Sequence, residues 1–199
     1  MKIIGLCGGS GSGKGTVSGV FSSFGIPVID TDAIYHKLIS EETPCLNALR
    51  KEFGNGVIKN SSLDRTALAK IVFLGEGADA RRARLNEITH TFVLKEVWRE
   101  LDSYKASGQE LCVVDIPLLF ESGFDKKCDL TVAILADRET RISRIIKRDG
   151  ITRESAVSRI DSQLSDTDLI SLADTYILNN GDITELVPLV KNIILKFEN

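Results

Sequence analysis

Apolar residues along the chain follow two patterns. Five short runs, Ile3–Cys7, Val28–Ile29, Leu111–Val114, Leu130–Leu135 and Thr175–Leu178, are apolar over neighbouring positions with little alternation, and they read as strands covered on both faces. The stretches between and after them repeat their apolar positions with a helical period. Strands of this kind separated by helices predict an α/β fold, a doubly wound parallel sheet of five strands.

The strands are unevenly spaced. About eighty residues that read as wholly helical separate the second from the third, with helices expected over Ala33–Ile39, Pro44–Phe53, Arg65–Phe73 and Ala80–Tyr104. Breaks at Gly54-Asn55-Gly56 and Gly75-Glu76-Gly77 divide them. An insertion leaving a sheet at the carboxyl end of a strand is placed to shape a substrate pocket. A second insertion, Ala136–Gln163, carries Arg138, Arg141, Arg144, Arg148, Arg153 and Arg159. The expected organisation is a core over 1–32, 107–136 and 164–199, a helical insertion over 33–106 and a lid over 137–163. No internal repeat or low-complexity tract interrupts it.

The first strand runs directly into Gly8-Gly9-Ser10-Gly11-Ser12-Gly13-Lys14-Gly15-Thr16, and a helix is expected from Lys14. Strand, glycine-rich turn and helix in that order form a P-loop. Glycines let the backbone turn its N–H groups inward around an anion, and the positive end of the helix adds to the attraction. Gly11, Ser12, Gly13, Lys14, Gly15 and Thr16 are the candidate phosphate-binding residues, with the Lys14 ammonium reaching the outer phosphates of ATP. The position after the lysine, usually a Ser or Thr that ligates Mg²⁺, is Gly15. This version of the loop resembles that of adenylate kinases, in which the metal sits among waters and phosphate oxygens, as Mg²⁺ readily does. Thr16 reads as an α-phosphate contact or as a residue of the first helical turn.

Three strand ends supply further chemistry. Asp30-Thr31-Asp32 closes the second strand, and an acceptor hydroxyl needs a carboxylate as base; Asp32 is favoured over Asp30. Asp32 also reads as the N-cap of a helix starting at Ala33. Asp115 follows the third strand and reads either as an acid that orients Mg²⁺ through water or as a turn cap. Arg144 and Arg148 stand four apart on one helix face, so both can aim at one anion as part of a closing lid; solvated surface arginines are the other reading. His36 reads as a helix-surface residue.

Composition narrows the picture. Acidic residues outnumber basic ones, 28 to 25, with both interspersed, so the chain lacks the basic stripe of a nucleic-acid-binding protein. No apolar run is long enough for a bilayer, and the glycine-rich loop arrives too early for a signal peptide, so a cytoplasmic location is expected. The cysteines, Cys7, Cys45, Cys112 and Cys128, have no metal-ligand spacing and read as reduced, with Cys7 and Cys112 as small buried hydrophobes.

An ordered set of segments then resembles the dephospho-CoA kinase family. It comprises the loop Gly8–Thr16, Val28–Asp32, Phe53-Gly54, Leu63-Asp64-Arg65, Leu85–His90, Asp115–Glu121, Arg148-Asp149-Gly150, Arg159, Gln163, Ala173-Asp174 and Asn179-Asn180-Gly181, and it covers nearly the whole chain. The resemblance implies a P-loop NTP hydrolase fold with a helical CoA-binding insertion and a lid. It implies transfer of the γ-phosphate of ATP, with Mg²⁺, to the ribose 3′-hydroxyl of dephospho-CoA, the last step of coenzyme A synthesis. Asp32 falls on the family's proposed base, Lys14 on its phosphate-binding lysine, Arg144 and Arg148 on its lid arginines, and Asn179 where the adenine is approached. Gly15 stands in place of the family's usual serine, and Thr91 in place of a common proline after His90, a histidine whose expected part is to shape the acceptor pocket.

Two other readings stay open. A nucleoside or nucleotide monophosphate kinase would share the sheet, loop and lid, and Gly15-Thr16 mildly favours it. A nucleotide-dependent switch is the other, although its guanine-binding form would carry an Asn-Lys-x-Asp segment that the chain lacks. The expected partner is a small-molecule substrate, with no nucleic acid or membrane, acting on a monomer or weak homo-oligomer.

Overall fold

The computed structural model describes residues 1–197. The chain begins with β1 (Lys2–Cys7), α1 (Lys14–Ser23) and β2 (Val28–Asp30), then passes through α2 (Thr31–Ser40), α3 (Pro44–Phe53), β3 (Ile58–Lys59), β4 (Ser62–Leu63), α4 (Arg65–Phe73) and α5 (Ala78–Ala106). It returns through β5 (Leu111–Asp115), β6 (Leu130–Leu135), α6 (Arg138–Asp149), α7 (Arg153–Asp161), α8 (Asp166–Leu172), β7 (Thr175–Leu178) and α9 (Ile183–Ile194).

The five expected strands form one parallel sheet in the order β2-β5-β1-β6-β7. β1 lies at its centre, with Leu6 opposite Asp115 of β5 and Val132 of β6. The chain continues from β1 towards one edge and later returns to fill the other. The loop after β1 therefore opens at the point where strand order reverses, the position at which such sheets bind ligands.

Side-chain alternation explains why β1 is apolar throughout. Ile4 and Leu6 pack on Val17, Val20 and Phe21 of α1 and on Leu186 and Val190 of α9, all buried. Burying each such side chain is worth about 1.5–3 kcal/mol against leaving it exposed. On the opposite face of β1, a Cβ on Gly5 would come 2.7 Å from Cys128 Sγ. Asp174 pins the start of β6, accepting from both the N–H and the hydroxyl of Thr131 at 2.7 Å. These bonds hold its carboxyl below the usual carboxylate range. The four cysteines are in no disulfide, and burial pushes the Cys7 thiol up to about 12 and Cys45 to about 11.

Residues 30–102 form one compact unit and the rest of the described chain another. The smaller unit has its own core, built on Ile39, Leu46, Leu49, Val57, Leu68 and Val72. Its helices follow the expected segments to within two residues at either end, but it is not wholly helical. β3 and β4 pair antiparallel, with Ile58 opposite Leu63 and Lys59 opposite Ser62. Asn60 and Ser61 between them both take left-handed φ, 50° and 59°, which is how a two-residue hairpin turn matches strand twist. Two-residue strands are too short to show alternation, so the sequence hides them.

Among the described residues, no helix is long and apolar enough to cross a membrane.

Candidate active site

α1 begins differently from its neighbours. α2, α3, α4, α7, α8 and α9 each start on a side chain that accepts from the helix's own amides: Asp30, Thr43, Asp64, Thr152, Ser165 and Asp182. α1 starts on Gly13, with no side-chain cap and no acid in its first turn. Its N-terminal amides and the positive end of its dipole thus lack the partner that those six helices build in. Gly13 is left-handed, at φ 85°, and the amide of Asn179 packs where a Cβ would stand, so only glycine fits. Ser12 is buried, and its hydroxyl has no hydrogen-bond partner among the described residues.

Lys14, the first residue of α1, pairs through Nζ with Oδ1 of Asp115 at the end of β5. The other oxygen of Asp115 accepts from Ser18 Oγ at 2.9 Å. Asp115 is only 5% exposed, so the pair stands in a poorly solvated place where the mutual attraction of the charges is strong. Asp115 thus holds the loop lysine from a buried position. Gly15 and Thr16 are exposed in the first turn of α1, and a Cβ on Gly15 would meet nothing within 4 Å.

The far end of the sheet braces the loop. Asn179 follows β7, is 4% exposed, and donates through Nδ2 to the carbonyl of Ser12 at 2.8 Å. Arg144 on α6 donates through Nη1 to the carbonyl of Asn179 at 2.9 Å and, over longer distances, to those of Gly11 and Ser12. Arg148, four residues on, has a different partner. Its Nε and Nη2 chelate the Asp149 carboxylate at 2.7 and 3.0 Å, and Arg159 approaches the same group. Those cations pull Asp149 down to about 2, Arg148 acting most strongly. In this structure Arg144 lies against loop carbonyls and Arg148 against Asp149.

The carboxylates after β2 also settle into separate roles. α2 starts at Thr31, two residues before the expected Ala33, so Asp30 is its N-cap, accepting from the N–H groups of Asp32 and Ala33 at 2.9 and 3.0 Å. Asp32 lies in the first turn of α2, exposed, and its carboxylate makes no hydrogen bond or ion pair among the described residues.

Two side chains with no role assigned from the sequence, Arg141 and Gln163, bond the loop directly, and Asp166 holds Arg141. Arg141 had appeared only as one of six arginines, and nothing in its spacing marks it. A cavity of about 350 Å³ lies beside the loop, lined by Gly8, Gly9, Pro117, Leu118, Glu121 and Gln163 among others. In the smaller unit, His36 is exposed and meets Arg65, while His90 is half-buried on α5. No group of three or more His, Cys, Asp or Glu that could hold a metal ion occurs among the described residues.

The model of one family, dephospho-CoA kinase, matches residues 2–185. A dephospho-CoA kinase of Symbiobacterium thermophilum is 42% identical over 92% of this chain and 76% of its own length. Among solved structures, TT1252 from Thermus thermophilus superposes with a TM-score of 0.81 at 31% identity, covering 98% of this chain and 97% of that one. The dephospho-CoA kinase from Campylobacter jejuni does so with a TM-score of 0.69 at 25% identity, with the same coverage.

Proposed function

The chain belongs to the dephospho-CoA kinase family and is an ATP-dependent phosphotransferase, and from that premise we propose how its residues divide the work. The reaction moves the γ-phosphate of ATP to the ribose 3′-hydroxyl of dephospho-CoA, giving coenzyme A. One observation carries the reading: an uncapped helix start on a left-handed glycine, with a lysine held at its mouth by a buried aspartate. That is a cup of amides and positive charge matched to a polyphosphate.

In this reading Gly11–Thr16 hold the phosphates through their backbone. Lys14 leaves Asp115 in part for the outer phosphates, where its charge offsets the negative charge spread over the transferring group. Arg144, already against the loop, adds a second cation, and Arg148 joins only by giving up Asp149. Asn179 lies against the adenine side of the nucleotide. Asp32 takes the proton of the acceptor hydroxyl, and the helical unit 30–102 holds the rest of the acceptor.

Magnesium fits the site only through water. Gly15 offers no hydroxyl, and Asp115 is a single carboxylate, enough to accept from metal-bound waters but not to cage the ion. When bound there, Mg²⁺ would supply neutralisation of charge between the phosphates. A cytoplasmic location, a monomer or weak homo-oligomer, and no nucleic-acid or membrane partner complete the proposal.

The test is ADP release measured with dephospho-CoA, with the common nucleoside monophosphates, and with no acceptor. Strong release with dephospho-CoA alone is expected. Equal release with a nucleoside monophosphate, or release that ignores the acceptor, would overturn the assignment of acceptor.

A further inference from the structure

Ser10, at the outer limb of the phosphate loop, has each of its polar groups held by the segment that follows β6. Its N–H donates to Gln163 Oε1 at 2.8 Å, its hydroxyl accepts from Gln163 Nε2 at 3.3 Å, and its carbonyl accepts from Arg141 Nε at 3.0 Å. Arg141 also donates through Nη1 to Asp166 Oδ1 at 3.0 Å and through Nη2 to Gln163 Oε1 at 3.4 Å. The loop is shaped to admit this group. The guanidinium lies where a Cβ on Gly9 would be, and a Cβ on Gly11, itself left-handed, would come 2.6 Å from the Arg141 carbonyl.

A guanidinium only 4% exposed is costly to bury unless its donors are met, and here three of its nitrogens are spent on the protein. It is therefore not arranged as a ligand-facing cation. The bonds of Arg141 and Gln163 converge on Ser10, the one non-glycine residue of Gly8–Gly11, a stretch whose glycines would otherwise sample many backbone states. A binding loop fixed in advance loses less freedom when it meets its ligand.

We propose that Arg141, Gln163 and Asp166 form a positioning clamp that fixes the outer limb of the phosphate loop through Ser10 and so sets the affinity for nucleotide polyphosphates. Gln163 also lines the cavity beside Gly8 and Gly9, so the clamp forms one wall of the space next to the loop. The inference rests on the reading of Gly8–Thr16 as the ATP site.

The experiment compares Gln163→Ala, Arg141→Gln and Asp166→Asn, with Lys14→Met as the control for that reading. ATP and ADP binding by titration calorimetry, KM for dephospho-CoA, and melting temperature without nucleotide are measured on the full chain. Gln163→Ala removes both bonds to Ser10 and should weaken ATP and ADP binding about tenfold, given the usual worth of one or two hydrogen bonds. KM for the acceptor should stay within about twofold and the melting temperature should barely move, because Gln163 is exposed and lies outside the apolar cores. Combining Gln163→Ala with Asp166→Asn should weaken ADP binding less than the product of the single effects, since Gln163 and Asp166 share Arg141 as a partner. Unchanged ATP and ADP affinity in Gln163→Ala would overturn the clamp, as would losses of nucleotide and acceptor binding that simply track the melting temperature. If Arg141→Gln does not fold, the other two variants still decide the matter. Tight ATP binding by Lys14→Met would remove the phosphate-loop reading itself, whereas a sensitive Lys14→Met beside an insensitive Gln163→Ala would remove only the clamp.

Discussion

Two aspartates two residues apart, Asp30 and Asp32, illustrate how a small shift along the chain divides roles in this protein. By capping α2, Asp30 satisfies two amides and spends its carboxylate on structure. Asp32, two residues later, lies in the first turn of the same helix and keeps its carboxylate open. Asp32 is proposed as the base because, unlike Asp30, its carboxylate is not spent on capping the helix. Asp32→Asn keeps shape and helix start but cannot accept a proton, so kcat should fall about 10²–10⁴-fold with ATP affinity nearly unchanged. Near-normal kcat in that variant would return the base role to another group. Gly15 offers the opposite test, a gain. A side chain there meets nothing within 4 Å, so Gly15→Ser should fold as the parent does and shift the Mg²⁺ concentration for half-maximal rate only modestly. A many-fold rise in kcat would show that direct metal ligation was missing.

Helices α6 and α7 show what periodicity can and cannot reveal. The sequence places Arg144 and Arg148 on one face, and so they are, but spacing says nothing about competing anions. Asp149, the last residue of α6, captures Arg148 and Arg159, while Arg144 one turn earlier lies against loop carbonyls. Arg141, one turn earlier still, escaped notice for the same reason. Its partners Ser10 and Asp166 lie 131 and 25 residues away, and long-range pairing leaves no local pattern. What was legible was what local physics fixes: apolar strand runs, the glycine loop between strand and helix, and the helix breaks. The Asp149 cluster also gives a pH prediction. Its folded value near 2 lies below the usual carboxylate value, so its contribution to holding α6 and α7 together is fully present above about pH 4 and is lost as pH falls towards 2. Hydrogen exchange of α7 amides should therefore lose protection over that window in the parent chain, and Asp149→Asn should show the weakened protection already at pH 6. An α7 equally protected in both at pH 6 would show that the cluster holds nothing.

At the scale of the molecule, the two compact units are held by separate apolar clusters, one around β1, α1 and α9, the other around Leu46, Leu49 and Val57. The order of the sheet was not readable from sequence, because nothing in an apolar run names its neighbour; that β1 lies between β5 and β6 is a tertiary fact. The division of the proposed labour, nucleotide on one unit and acceptor on the other, follows the division of the cores, and it can be tested through packing alone. Leu49 is fully buried in the smaller unit and far in sequence from the phosphate loop. Leu49→Ala removes three carbons from that core and should cost about 2–5 kcal/mol, depending on how far the cavity collapses. Because none of the loop's hydrogen bonds or ion pairs described above passes through Leu49, ADP affinity should stay within about twofold, while KM for dephospho-CoA rises with the loosened unit. Calorimetric ADP binding, acceptor KM and hydrogen exchange over residues 30–102 give the answer together. Loss of ADP binding in step with loss of acceptor binding would mean that the two cores work as one, and that the acceptor cannot be assigned to the smaller unit on these grounds.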